Sequence, residues 1–428
     1  MLDRTVQPPI SKMEIFDIMH PEDSTMSNGV PLRILRSGES EVVRLDIMIG
    51  CGQWYQELPL QATFTCRMLR EGTTRYTSQE IAEKLDYYGA WLDVSSSMNY
   101  SFITLYSLNK YFLPTLEILA SMLKEPVFPE KEFAVVLDGN RQQFLVNQEK
   151  VEILSRRRLN MSLFGREHPC GRYAELHDYD QLRTSHLKEM HRRYFHSGNC
   201  TCYLSGHVTS EITAALEREV GCKHWGEHGE RPQLTPKAIT GDGEKHIFIE
   251  KKEALQSAIR LGCFSIDSNH PDFIKLRVLI TLFGGYFGSR LMKNIREDKG
   301  YTYGIGASLV TYPFRNMLMI NTQAANEYVA PIIQEVGYEM ERLRNEQVST
   351  KELEMVKNYT MGDMCRGYES PFSLADAYIY LDTFGWKKDF FLKSQQELRD
   401  ITPADIQDLA CKYFHKEELV EVVAGKKL

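Results

Sequence analysis

The residues best able to do chemistry in this chain exclude more than they offer. The densest group is His186-Leu187-Lys188-Glu189-Met190-His191. Its histidines are five apart, which on a helix separates them by about 140°. A catalytic zinc pair needs positions i and i+4 on one helical face, with a glutamate beside the metal-bound water. No H-x-x-E-H is expected anywhere in the chain, and no metal motif is expected to act in it. The 186–191 group therefore reads as a polar helix surface, and His168, before Pro169, as part of a turn. No G-x-S-x-G elbow occurs and no cysteine has a recognisable histidine partner, so nucleophilic hydrolysis has no support. Gly284-Gly285-x-x-Gly288 lacks the G-K-[ST] ending of a phosphate loop and fits a corner between helices.

These residues sit in an ordinary globular chain of 428 residues, 43% hydrophobic and 25% charged. That length suggests two or three domains. A net charge of -7 and a pI near 6.0 argue against a nucleic-acid or anionic-membrane surface. The nine cysteines are scattered without a C-x-x-C, and Cys200 and Cys202 fall on one face of a strand. Reduced thiols and a cytoplasmic location are expected. No stretch reaches the roughly 18 apolar residues of a membrane span. The first residues, with two prolines and no continuous apolar run, do not read as a secretory signal.

The elements that must position the chemistry come twice. Tyr194-Phe195-His196 recurs as Tyr413-Phe414-His415, an offset of 219 (413 − 194). Lys131-Glu132-Phe133 recurs as Lys351-Glu352-Leu353, an offset of 220 (351 − 131). Tyr88-Gly89-Ala90 recurs as Tyr303-Gly304-Ile305, an offset of 215 (303 − 88). Order and near-constant offset indicate a duplicated domain. Val43, Leu45 and Ile47 alternate as a strand does. Helices are expected over 58–69, from the capping box Thr77-x-x-Glu80, and over 111–123, 130–158 and 184–195. In the second half helices fall near 270–283 and 286–297, from a second capping box Ser349-x-x-Glu352, and after Thr402-Pro403, where proline at the first helical position loses no bond. The reading is two homologous α+β domains, residues 1–222 and 246–428, each a mostly antiparallel sheet with helices on one face. Residues 223–245, rich in Gly, Pro, His and charge, form a linker.

Two segments carry a resemblance. Residues 284–307 contain Ser289-Arg290-Leu291, Ile295-Arg296-Glu297, Gly300 and Tyr303, and Cys66–Thr73 ends in Gly72-Thr73. From about Leu32 onward the chain resembles the pitrilysin/insulinase family of zinc peptidases, and within it the mitochondrial-processing-peptidase type. The resemblance implies two halves closing like a clam around a negatively charged chamber. It implies that Arg296 and Tyr303 reach across to bind the substrate carbonyl and the developing oxyanion. Anchored on Gly72-Thr73, it puts Thr63 and Arg67 where the histidines belong, Cys66 where the general-base glutamate belongs, and Gly139 where the third ligand belongs. Zinc takes histidine, cysteinate or carboxylate, not threonine or arginine. The expectation is a chain without its own metal or cofactor. A homologous H-x-x-E-H partner would supply zinc and base, and this chain would supply Arg296 and Tyr303 in trans. An inactive peptide-binding or scaffold homologue is the alternative. Peptides are the expected ligands, and neither nucleic acid nor membrane.

Overall fold

The computed structural model describes residues 5–6, 14–227 and 229–427. Two sheets organise them. The first holds β1 (Glu22–Thr25), β2 (Pro31–Arg36), β3 (Val42–Ile49), β4 (Trp91–Ser96), β5 (Ser101–Leu108) and β6 (Cys200–Gly206), in the order β1-β2-β6-β3-β5-β4. The second holds β7 (His246–Glu250), β8 (Gln256–Ser265), β9 (Thr302–Tyr312), β10 (Arg315–Ala325) and β11 (Val420–Gly425), in the order β7-β11-β8-β10-β9. Without β1 the orders are the same. β2 lies parallel to β6, and β7 parallel to β11, while every other pairing is antiparallel. A parallel pair needs a long crossover, and each half uses its helices for it.

The duplication extends to the helices. Glu130–Asn147 matches Thr350–Gly367 at an offset of 220 (350 − 130), both 18 residues long. Val151–Phe164 matches Pro371–Phe384, again offset by 220 (371 − 151) and both 14 residues long. The third sequence match does not survive: Tyr88 caps a helix, whereas Tyr303 lies inside β9.

Local chemistry fixes the helix ends. Thr77 and Glu80 form the reciprocal capping box, and Thr402 with Asp405 forms another, with Pro403 at the first position. At Ser349 the box is half made. The serine accepts from Glu352 N, but the Glu352 carboxylate turns to Arg290 at 2.8 and 3.1 Å. The expected helix over 130–158 is two helices, broken at residues 148–150. The linker carries no helix or strand among its described residues, yet it is docked: Trp54 Nε1 donates to Thr235 O at 3.1 Å.

Helices cover more than one face of each sheet, and the second cover comes from the opposite half. Helix 151–164 places Leu159 and Phe164, both fully buried, against Ile247, Met317 and Val422 of the second sheet. Its counterpart 371–384 places Ala375, Tyr378 and Leu381 against Leu35, Met48 and Tyr203 of the first. Each fully buried large side chain contributes about 1.5–3 kcal/mol, so the exchange ties the halves together. Partly buried ion pairs across the boundary reinforce it. Arg33 reaches Asp382 at 2.7 Å, and Arg44 bridges Asp46 at 2.8 Å and Asp376 across the boundary. Among the described residues no helix is long and apolar enough to cross a membrane.

Candidate functional site

Helix Gln61–Met68 starts after Leu60, whose φ of 72° stops any earlier helical turn. Gln61 anchors it, accepting from Glu57 N and donating to His186 O, each at 2.9 Å. Phe64, Thr65, Cys66 and Met68 point inward. Thr63 and Arg67, four apart, share the open face. Those are the two positions the resemblance gives to histidines. Cys66 is 1% exposed, its Sγ donates to Ser101 Oγ at 3.1 Å, and burial pushes its thiol up to about 12. Arg67 leans over the Phe64 ring at 6.0 Å. Gly139 lies exposed on helix 130–147, and a Cβ built there would meet nothing within 4 Å. A ligand side chain would have room there, but glycine supplies none.

These residues do not fit zinc. Cys66 alone carries a suitable atom, and it is held protonated and turned inward. Among the described residues no cluster of three or more His, Cys, Asp or Glu side chains could hold a metal ion.

Contrary to the expectation of none, the letters H-x-x-E-H do occur once, as His224-Trp225-Gly226-Glu227-His228 in the connecting segment. The structure shows why it is no zincin motif. Gly226 has a φ of 71°, so no helix aligns the two histidines. Trp225 is buried and donates to Val220 O at 3.1 Å. The Glu227 carboxylate is held by Arg192 at 2.6 Å, and His224 Nδ1 meets Ser197 Oγ at 3.2 Å. His228 lies outside the described residues.

Three further histidines, His168, His186 and His191, serve structural contacts. His168 is buried, stacked on Phe164 at 5.0 Å, and its Nδ1 accepts from Cys170 N at 3.1 Å. His186 Nδ1 accepts from Arg183 N at the helix start. His191 is not the surface residue expected of it. Its ring packs on Phe195 at 4.9 Å and against Leu123 O, and burial lowers its pKa to about 4.

In the second half, helix 273–280 runs on as a wider turn through Thr281–Gly285, and the chain turns a corner at 286–289. Gly284 makes the corner possible, because a Cβ there would sit 2.6 Å from Ala307 Cβ. The segment Met292–Asp298 is likewise a wide π turn, a form often found at functional sites. From it Arg296 extends over Phe287 with 4.5 Å to the ring centroid, and among the described residues no carboxylate pairs with it. Gly300, at φ 67°, reverses the chain into β9. There the pairing with β10 slips between Thr322 and Ala324, and Thr302 Oγ1 donates to Gln323 O at 2.6 Å. Such a bulge re-aims a side chain. Tyr303, beside it, is 92% exposed. No hydrogen bond or ring contact joins Arg296 to Tyr303 among the described residues.

Residues 34–168 match the insulinase domain of peptidase family M16, and residues 182–360 match the domain described as peptidase M16 inactive domain. The chain belongs to the insulinase family. It lacks the family's active zinc motif at Thr63, Cys66 and Arg67. An uncharacterized zinc protease YmxG of Bacillus subtilis is 22% identical over 81% of this chain and 84% of its own length. A protein named non-peptidase homolog YmxG, from Helicobacter pylori, is 25% identical over 57% of this chain and 56% of its own. Two solved structures share the fold. A peptidase M16 inactive domain from Pseudomonas fluorescens superposes with a TM-score of 0.85 at 20% identity, covering 96% of this chain and 99% of that one. A protease from Helicobacter pylori gives 0.86 at 15% identity, covering 96% and 100%. Within this insulinase-family frame, Arg296 and Tyr303 stand in the second half and the vacated metal positions in the first.

Proposed function

We propose that this chain is the metal-free subunit of a two-chain insulinase-family peptidase. A homologous partner bearing H-x-x-E-H on a helix would hold the zinc and the general base. This chain would supply Arg296 and Tyr303 in trans. The supporting observation is that neither side chain has an ion-pair or hydrogen-bond partner among the described residues: Arg296, half-exposed on a π turn with its guanidinium over Phe287, and Tyr303, 92% exposed, on a bulged strand. A guanidinium and a phenol O–H both donate, which suits a substrate carbonyl whose oxygen becomes an oxyanion. β9, which carries Tyr303, is the edge of its sheet, so an extended peptide has backbone groups to pair with. Peptides are the proposed substrates. A cytoplasmic location is part of the proposal and rests on free, mostly buried cysteines.

The test is activity of the reconstituted pair with Arg296→Ala or Tyr303→Phe in this chain. Each change should lower kcat by about 10²–10³, the usual cost of one oxyanion donor. Tyr303→Phe should leave the melting temperature unchanged, since the side chain is 92% exposed, and Arg296→Ala should lower it only by the loss of one ring contact with Phe287, about 0.5–1 kcal/mol. Unchanged activity in both variants overturns the proposal. The second reading, an inactive peptide-binding homologue, is favoured by the inward, protonated Cys66; it predicts tight peptide binding with no turnover in any pairing.

A further inference from the structure

We infer that the cavity beneath Thr63 binds the carboxylates of an acidic peptide. The cavity measures about 370 Å³ and lies between the two halves, with Thr63 at one wall and Tyr312 of β9 at the other. Arg156, Arg157 and Arg172 line it, and no aspartate or glutamate does. This contrasts with a chain whose net charge is -7, and it reverses the negative chamber that the family resemblance implies. Among the described residues none of the three arginines has a carboxylate within 4.0 Å, while their neighbour Arg158 is paired to Asp242 and Glu244. Arg157 is held by ring contacts, 5.0 Å from the Phe144 centroid and 5.5 Å from that of Tyr173. Arg172 is tethered to Glu57 O at 3.1 Å. Arg156 is exposed and makes no hydrogen bond or ion pair among the described residues. Three unneutralised guanidiniums around one concavity favour an anion, and guanidinium suits carboxylate in particular.

Two further groups in or near the cavity have buried polar atoms without a partner among the described residues. Asn160 lines the same cavity, is 4% exposed, and has an Oδ1 with no donor. Its amide orientation is fixed because Nδ2 donates to Cys170 O at 3.2 Å and to Tyr312 Oη at 2.7 Å. That Oδ1 is a buried acceptor in the cavity wall, left without a donor among the described residues. Arg260, on β8, has a buried Nε without a partner and lies within electrostatic reach of Arg156. It shares a second cavity, of about 310 Å³, with Tyr303 and with Glu152, whose carboxylate acts on Arg260, so the unpaired positive charge is confined to the cavity beneath Thr63.

This inference rests on the peptide-handling reading above and names its substrate class. It is tested on the full chain alone, by fluorescence anisotropy, so it can fail while the partner-dependent activity survives. Labelled twelve-residue peptides of glutamate and serine, of lysine and serine, and of serine and glycine are compared, with a single-stranded oligonucleotide beside them. The acidic peptide should bind at least about ten-fold tighter than the neutral one, a single charge-assisted contact being enough for that, and raised salt should weaken it. Arg156→Ala, which removes no packing, and Arg172→Ala should each cost about three- to ten-fold, with circular dichroism confirming the fold. No preference for the acidic peptide, wild-type affinity in both variants, or tighter binding of the oligonucleotide overturns the inference. Equal displacement by inorganic phosphate at the peptide's own concentration assigns the site to a small anion and overturns it too.

Discussion

Lowering the pH from about 7.5 to about 5 should destabilise the N-terminal half through a single histidine. The His191 ring packs between Phe128 and Phe195, with centroids at 5.7 and 4.9 Å, and Nε2–H donates to Leu123 O at 2.9 Å. Burial opposes the charged form and lowers its pKa to about 4, against about 6.5 in an unfolded chain. Between those values the unfolded state binds the proton more readily. Stability therefore rises with pH across that window and is lost as the pH falls through 6.5 toward 4. The ratio of binding terms at pH 5, (1 + 10^1.5)/(1 + 10^−1), corresponds to about 2 kcal/mol. That is an upper figure, because partial solvent access to the ring edge screens it. His191→Gln removes the titration while leaving a donor for Leu123 O. Urea unfolding of both proteins at the two pH values gives the assay. The wild type should lose about 2 kcal/mol more than the variant on acidification. Equal losses, or a His191 ring that titrates near 6.5 by NMR, would refute the reasoning.

Two other outcomes follow from the packing. Leu159→Ala should cost about 2–5 kcal/mol, and the damage should appear as faster amide exchange in β8 and β11, not in the sheet of its own half; Leu159 lies under Gly262 of β8. Gly139→Ala should stabilise by up to about 1 kcal/mol, read as a small rise in melting temperature, since the position is an exposed helix interior with open space around it; a fall would mean that the helix is constrained by something other than its own chain.

The duplication was legible in the sequence because helix caps and terminal motifs are local. Thr77-x-x-Glu80 and Thr402-Pro403 set helix starts by bonds spanning three residues, and Tyr-Phe-His closes the same helix in each half. The loss of the zinc motif was equally local: threonine and arginine at i and i+4 cannot ligate whatever surrounds them. The string His224–His228 marks the limit of such reading, because the same letters without a helix place no two histidines on one face. The long expected helix over 130–158 failed for a related reason: both segments favour helix, and the break at residues 148–150 is set by where the second must dock.

By itself, then, the order of residues determined two similar α+β halves, the loss of the zinc motif at Thr63, Cys66 and Arg67, and the presence of Arg296 and Tyr303 in a segment with a turn at Gly300. Only the tertiary structure decided which side chains are free to act. It exchanged helices 151–164 and 371–384 between the sheets, turned Cys66 inward onto Ser101, and used a bulge opposite Thr302 to expose Tyr303. It also brought Thr63, Arg156, Arg172 and Tyr312 to one cavity although up to about 250 residues separate them. Burial and charge proximity depend on contacts between distant segments, and no periodicity or spacing along the chain encodes them.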